Sequence, residues 1–187
     1  MFLMRSHGKK IKMQSSYLAM LEGASFGMVD GAICALGAAI GIATATNNTF
    51  LAALSVFIFA ISDSFGNAIG FYLSQVSERN VQIVNKRLGK VQHVHTGREI
   101  FLNGVFTFIS TILVYLVVII PFIVFPLQVS VLVSSLLALV VVFGLGAYNA
   151  KIVGGDTVGQ GLFYSLLTFM TAVLCYIVGI FLNRLLL

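Results

Sequence analysis

Residues 100–150 read IFLNGVFTFISTILVYLVVIIPFIVFPLQVSVLVSSLLALVVVFGLGAYNA, a run of 51 residues without one acidic or basic side chain. A helix needs about 20 apolar residues to cross the hydrocarbon core of a bilayer, so this run is too long for a single crossing. Pro121 and Pro126 interrupt it, together with Gln128, and proline breaks a helix because it lacks the backbone N–H. The run therefore predicts two membrane-spanning helices with a turn between them.

Two further charge-free windows lie on either side of this run, at residues 31–62 and 157–183. Long, continuous apolar windows are typical of membrane helices, whereas a membrane barrel would alternate polar and apolar residues. The sequence thus predicts an all-α polytopic membrane protein with five transmembrane helices in a single membrane domain over residues 1–187. The expected spans are 17–45, 50–76, 100–125, 127–149 and 159–182.

The composition agrees with this fold class. Hydrophobic residues make up 59% of the chain and charged residues 9%, against about 25% charged residues in an ordinary soluble domain. With a mean hydropathy of +1.03, the chain cannot provide the polar exterior of a soluble enzyme or of a nucleic-acid-binding domain. No spacing indicates a nucleophile–base pair, and the three histidines lie outside the predicted spans. We therefore expect no enzymatic activity and no nucleic-acid partner.

The basic residues are distributed unevenly over the predicted loops, and such a bias places the basic side in the cytoplasm. We expect a cytoplasmic N-terminus and an extracellular or lumenal C-terminus. Only Arg184 lies on the far side. The other basic residues are Arg5, Lys9, Lys10, Lys12, Arg79, Lys86, Arg87, Lys90, Arg98 and Lys151.

Residues 77–99 form the one sizeable polar segment between the predicted spans. Apolar side chains recur there at helical spacing between positions 81 and 91, with basic residues between them. This pattern predicts a cytoplasmic amphipathic helix that lies on the anionic headgroups of the bilayer. His93 and His95 are interpreted as exposed loop histidines, because residues two apart do not share a helix face and so do not form a metal-binding pair there.

Three carboxylates are predicted inside the bilayer, where each costs about 3 kcal/mol to insert and is a functional candidate for that reason. Glu22 and Asp30 lie in the first span, with Asp30 about 12 Å deeper, and Asp63 lies in the second. Cys34 and Asn67 follow Asp30 and Asp63 by one helical turn on the same faces. The alternatives are a neutral, hydrogen-bonded buried acid at Asp30 or Asp63, and a solvated residue at Glu22.

Glycines recur at four-residue spacing in the same two spans. Gly23, Gly27 and Gly31 form two overlapping small-xxx-small units in the first span, and Gly66 with Gly70 forms another in the second. Small residues at this spacing allow the backbones of two membrane helices to approach closely. We therefore expect all five glycines to lie at helix–helix contacts.

The sequence around these acids resembles the vacuolar iron transporter family. GMVDG at residues 27–31, followed by Gly37 and Gly41, is similar to the G-x-x-D-G element of the family's first span. DSFGNAIGFYLS at residues 63–74, followed by SE at 77–78, resembles the second-span element D-A-x-S-M-x-x-G-E/D-Y-x-S with its S-E. The ending at residues 172–179 is similar to the last span. The motifs cover most of residues 20–80, and the rest matches by architecture.

The resemblance implies export of Fe²⁺, and often of Mn²⁺, from the cytosol in exchange for protons, by a two-fold homodimer with its pathway between the protomers. It also implies the cell membrane of a prokaryote or the vacuolar membrane of a eukaryote as the location. Asp30 takes the place of the family's intramembrane metal-binding aspartate. Asn67 falls where the family has its metal-binding methionine, Gly66 replaces a serine and Phe71 replaces an acidic residue. The loop at 77–99 also lacks the Glu-rich insert with which many members collect metal.

The leading hypothesis is a homodimeric, proton-coupled divalent-metal transporter, with Fe²⁺ or Mn²⁺ as substrate and no permanently bound cofactor. An Asp30 carboxylate from each subunit would neutralise the dication, and Cys34 could supply a soft donor. Glu22 would attract cations at the cytoplasmic mouth, and Asp63 would relay protons or position the site. Two alternatives stay open: a non-transporting accessory or structural membrane protein of the same fold, and a transporter or channel for another small cation. The predicted metal ligands are Asp30, Asn67, Glu22, Asp63 and Cys34.

Overall fold

Five long α-helices make up the computed structural model, which describes the backbone of residues 2–90 and 94–186 and the side chains of residues 20–90 and 94–185. In chain order they are α1 (Phe2–Thr46), α2 (Thr49–Arg87), α3 (Gly97–Val124), α4 (Leu127–Ile152) and α5 (Thr157–Leu186). Each contains a stretch that is long and apolar enough to cross a membrane. The prediction of an all-α integral membrane protein with five transmembrane helices is thus confirmed.

Local hydrogen bonds mark where the helices begin. The side chain of Asn48 accepts a hydrogen bond from a backbone N–H of the first turn of α2. Thr96 and Glu99 form a capping box at the start of α3, in which each side chain binds the other residue's backbone N–H. Asp156 accepts from two backbone N–H groups at the start of α5. These caps stabilise short connections between long helices.

The long apolar run divides at Pro126 rather than at Pro121. Helix α3 continues through Pro121 to Val124, and the chain leaves helical geometry at Phe125 before α4 begins at Leu127. The Pro121 carbonyl accepts hydrogen bonds from the Phe125 N–H and from the Ser130 hydroxyl, both at 2.9 Å. Pro121 therefore lies in the closing turns of a helix that packs against the start of α4.

Helix α2 is longer than any membrane crossing requires. Its 39 residues extend about 58 Å at 1.5 Å per residue, against about 30 Å for the hydrocarbon core. The segment from 77 to Arg87 continues this helix without a break. The helical pattern predicted within 77–99 therefore belongs to the end of α2 as far as Arg87, and it does not form a separate helix. His93 lies outside the described residues.

Helix α1 occupies the centre of the bundle and packs against the other four helices. We call the end of the bundle that carries the α2–α3 and α4–α5 connections the basic end, and the end with the α1–α2 and α3–α4 turns the far end. Small residues line the centre: Ala32, Ala35, Ala39 and Ala43 of α1 are fully or almost fully buried. Short side chains on α1 allow its neighbours to approach closely on several sides.

The closest approach is between α1 and α3. A Cβ atom added at Gly23 would lie 2.2 Å from the backbone oxygen of Asn103, and one at Gly27 would lie 2.4 Å from that of Thr107. At Gly31 it would lie 3.1 Å from the Thr111 oxygen. The Thr107 hydroxyl also donates to the Gly23 carbonyl at 3.0 Å, which joins the two helices directly. These three glycines therefore hold α1 against α3.

The glycines of α2 behave differently. Among the described residues, no atom of another element lies within 4 Å of a Cβ added at Gly66 or at Gly70. The expectation of tight helix packing at these two positions is wrong within the chain, because the spacing of small residues does not specify which helix, if any, faces them. The face of α2 that packs on α1 instead carries larger side chains.

Candidate functional site

Helices α1 and α2 run in opposite directions and meet through one side chain per turn. On each helix the side chains at this contact are four residues apart and form one row, or stripe. Each side chain of the α1 row therefore faces one side chain of the α2 row. Of the four pairs, two are joined by a hydrogen bond, one is a contact between aromatic rings, and the last places a thiol near a carboxylate. From the basic end inward, the pairs are Glu22 with Gln75, Phe26 with Phe71, Asp30 with Asn67, and Cys34 with Asp63.

Asp30, Cys34, Asp63, Asn67 and Tyr115, which we call the intramembrane cluster, lie within the spans of α1, α2 and α3. The Asn67 amide nitrogen donates to Asp30 Oδ2 at 2.7 Å and to Asp63 Oδ2 at 3.1 Å. The Tyr115 hydroxyl donates to Asp63 Oδ2 at 3.1 Å, and the Cys34 thiol lies 3.7 Å from Asp30 Oδ2. Two carboxylates thus share one amide in the apolar part of the bundle.

Asn67 holds the two acids together through both of its amide hydrogens. Carboxylate oxygens accept hydrogen bonds, so only the NH₂ side of the Asn67 amide can face Asp30 and Asp63 when both are ionised. Sequence reasoning assigned the oxygen of Asn67 to a metal, and here its nitrogen faces the acids instead. A half-turn of the terminal amide would present the oxygen in place of the N–H groups.

Three side chains of the intramembrane cluster are of types that bind first-row dications. One oxygen each from Asp30 and Asp63 and the sulfur of Cys34 all lie within 4.8 Å of one another. Two oxygens on opposite sides of a small dication lie about 4.2 Å apart, at about 2.1 Å from the metal each. Carboxylate and amide oxygens suit a hard ion such as Mn²⁺, and a borderline ion such as Fe²⁺ also accepts a sulfur donor. Two carboxylates of one chain would already balance a double positive charge. The sequence analysis had instead assigned this neutralisation to two Asp30 residues, one from each subunit of a dimer.

A second polar group lies toward the basic end, formed by Glu22, Gln75, Glu78, His95 and Asn103, and we call it the basic-end cluster. The buried Gln75 donates through Nε2 to Glu22 at 3.0 Å and, more weakly, to Glu78 at 3.5 Å. Asn103 of α3 donates to the other Glu22 oxygen at 3.3 Å. Glu22 therefore belongs to this cluster and lies apart from Asp30, the other predicted metal ligand of α1.

His95 is not the exposed loop histidine that the sequence predicts. It is half-buried, and its ring Nδ1 lies 3.0 Å from Gln75 Oε1. Because Gln75 uses its nitrogen for Glu22, its oxygen must accept, so the Nδ1 of His95 carries the proton. The backbone N–H of His95 also donates to Gln82 at 2.8 Å, which ties the α2–α3 connection to α2.

Three residues of these clusters escaped sequence reasoning. Gln75 continues the four-residue spacing from Asp63 through Asn67 and Phe71, so its place on the α1-facing stripe could have been found. Tyr115 and Asn103 lie on α3, and no local spacing relates a residue of α3 to one of α1 or α2. Asn103 is fully buried, and its Oδ1 has no hydrogen-bond partner among the described residues.

On the far side of the intramembrane cluster, α2 and α5 stand apart and leave a groove of 610 Å³ with α1 as its floor. Cys34, Gly37 and Gly41 form part of that floor, and Asp63 lines the wall from α2. The groove is otherwise almost entirely apolar and reaches toward the far end of α1 and α5. The intramembrane cluster therefore borders an open groove on one side.

No protein-family model matches this chain, and no curated protein sequence is significantly similar to it. Its functional assignment therefore rests on the side chains that the helices bring together.

Proposed function

We propose that this membrane protein transports a divalent metal ion, Fe²⁺ or Mn²⁺, across the bilayer. The observation that supports this most is the pairing of Asp30 and Asp63 inside the spans, with Cys34, Asn67 and Tyr115 around them. Two acids held together at this depth are costly without a cation to balance them. The resemblance of residues 20–80 to the vacuolar iron transporter family favours these two metals.

Proton coupling follows from the same two carboxylates. A divalent ion binds when Asp30 and Asp63 are ionised, and protonation of either removes a charge and an oxygen ligand. A higher proton concentration on the far side would then drive export of the metal from the cytosol, with protons moving into the cytosol in exchange and with the basic end in the cytoplasm. In this scheme Glu22 and Glu78 attract cations at the basic end, and Asn67 turns its amide to admit the metal.

We also propose that the protein works as a two-fold homodimer in contact with anionic headgroups at its basic end. The groove above Cys34, Gly37 and Gly41 leaves the central helix uncovered, and small residues suit the close approach of a second α1. Chemical crosslinking in the membrane, through cysteines placed at Ala38 or Ala45, tests this arrangement. A protein that stays monomeric in lipid would contradict it.

The transport proposal is tested by reconstitution into liposomes with a pH gradient and Mn²⁺ or Fe²⁺ outside. We expect uptake by the parent protein and its loss in Asp30→Asn and Asp63→Asn, which keep the side-chain shape but remove the charge. Asp156→Asn is the matched control, because it removes a carboxylate from an exposed helix cap where asparagine serves equally well. Uptake of no divalent ion by the parent protein would contradict the proposal.

A non-transporting structural role is the second candidate, and the contacts of Asn67 favour it. Its amide already donates to both carboxylates, so the acids have partners without any ion. In that case Asn67→Ala would destabilise the protein, and added Mn²⁺ would not restore stability. If the cluster binds metal, Mn²⁺ would raise the melting temperature of the same variant by mass action. A channel or transporter for another small cation would bind that ion in competition with Mn²⁺.

A further inference from the structure

The two polar clusters of the α1–α2 contact are separated by a pair of aromatic rings. Phe26 and Phe71 stack with ring centroids 4.9 Å apart and an interplanar angle of 28°. Phe26 lies one turn from both Glu22 and Asp30, and Phe71 lies one turn from both Gln75 and Asn67. The stack therefore fills the one turn between the basic-end cluster and the intramembrane cluster.

An ion moving between the clusters would have to cross this turn. Glu22 and Asp30 are eight residues apart, or about 12 Å along α1, and the rings offer no oxygen ligand over the middle of that distance. Phe26 is 42% exposed. In a bilayer the exposed part of the ring faces hydrocarbon or another apolar surface, which excludes ions as effectively as the ring does.

The other side of the intramembrane cluster is arranged differently. Cys34, Asp63 and Tyr115 border the groove between α2 and α5, which reaches toward the far end. Toward Glu22, the stacked rings of Phe26 and Phe71 occupy the α1–α2 contact instead. Along the α1–α2 contact, the cluster thus meets aromatic rings toward the basic end and borders an apolar groove on its far side.

We propose that Phe26 and Phe71 form the barrier that separates the intramembrane cluster from the basic end of the protein. Resting on the proposed transport function, this makes the stack the element that must part for a cation to pass between Glu22 and Asp30. The two rings also determine from which side of the membrane cations and protons reach the carboxylates. Truncating either ring opens a hydrated connection, because alanine leaves room where the phenyl group stood.

Cys34 reports on this barrier because it lies at the inner side of the rings, next to Asp30. In a Cys175→Ala background it is the single thiol of the chain. A permanently charged methanethiosulfonate reagent, which does not cross lipid, is applied to sealed vesicles from the side of the basic end and then, separately, from the far side. The rate of modification of Cys34 is measured without any metal present.

We expect slow modification from the basic end, and an increase of about tenfold or more in Phe71→Ala and in Phe26→Ala, because the rings no longer exclude a charged group. Modification from the far side should change little. Phe65→Ala is the matched control, since Phe65 of α2 makes an edge-to-face contact with Phe108 of α3, away from the α1–α2 contact, with centroids 5.0 Å apart.

An unchanged rate from the basic end in both ring variants, including no reaction at all, overturns the proposal. An equal increase in Phe65→Ala also overturns it, because the effect would then be a general loosening of α2. Mn²⁺ uptake by the same proteins is measured separately. Ring-dependent modification without any uptake supports the barrier and contradicts the transport function, so the two proposals fail in different experiments.

Discussion

Helix α1 carries two neighbouring rows of residues, or stripes, that are offset by one position in the sequence. One stripe consists of glycines, and the other contains acidic side chains. Gly23, Gly27 and Gly31 meet the backbone of α3 so closely that an added Cβ atom would clash or press against it. The preceding residues Glu22 and Asp30 meet polar side chains of α2. The first stripe fixes the helix in the bundle, and the second presents charges along a surface that is only half-buried.

This difference shows how a membrane helix keeps acids without losing its fold. The packed stripe gains from contacts between backbones and from the Thr107 hydrogen bond, neither of which depends on the acids. The polar stripe needs no tight packing, because Asn67, Gln75 and Asn103 provide its hydrogen bonds. Changes on the two stripes should therefore separate stability from ion binding.

The largest expected effect is on stability, at the packed stripe. Gly27→Ala places a Cβ atom 2.2 Å from the Ser110 hydroxyl and 2.4 Å from the Thr107 carbonyl oxygen, so α1 and α3 must move apart. We expect a loss of about 3 kcal/mol of unfolding free energy, the upper end for overpacking. Thermal unfolding in detergent measures this. A melting temperature equal to that of the parent would show that α1 and α3 do not approach as closely as described.

A smaller effect, and on binding rather than stability, is expected at the polar stripe. Asp30→Asn removes one of two charges that would balance a dication while keeping a hydrogen-bonding side chain. We expect Mn²⁺ affinity to fall about 100-fold, or about 2.7 kcal/mol, with the melting temperature of the metal-free protein little changed. Titration calorimetry measures the affinity. Equal affinities in Asp30→Asn and the parent would remove Asp30 from the site.

Tyr115→Phe tests the contribution of α3 to the same cluster. It removes the hydroxyl that donates to Asp63 at 3.1 Å and leaves the ring in place. Losing one such hydrogen bond should change Mn²⁺ affinity by about fivefold, or about 1 kcal/mol. The conservative change keeps the packing of the buried ring, so a large loss of stability would mean that Tyr115 matters to the fold rather than to Asp63.

The smallest effect is expected at the open glycines of α2. Gly70→Ala adds a methyl group where no atom of another element lies within 4 Å, and alanine is the better helix former. We expect the protein to gain about 0.5 kcal/mol or to stay unchanged. A clear destabilisation in the membrane would indicate that a second chain covers this face of α2, which would sharpen the proposal of a homodimer.

The fold could be predicted from the sequence, because each span satisfies its own backbone hydrogen bonds and so produces a local hydropathy signal. Asp30 and Asp63 could also be singled out as candidate site residues, since an acid in an apolar helix is recognisable without any knowledge of its neighbours. Tyr115 and Asn103 could not be assigned to the clusters from the sequence, because the register between α3 and α1 is set by the packing of the whole bundle. The same limit explains why Gly66 and Gly70 were assigned to contacts that they do not make within the described part of the chain.

The central claim is that the two carboxylates of a single chain hold one divalent ion. It is tested most directly by titrating purified parent protein with Mn²⁺ at acidic and at neutral pH and reading the free ion by electron paramagnetic resonance. The account predicts one bound Mn²⁺ per chain, tighter binding at neutral pH because the ligands must be ionised, and its loss in the Asp30→Asn, Asp63→Asn double variant. Binding that is absent in the parent, or unchanged in the double variant, would contradict it.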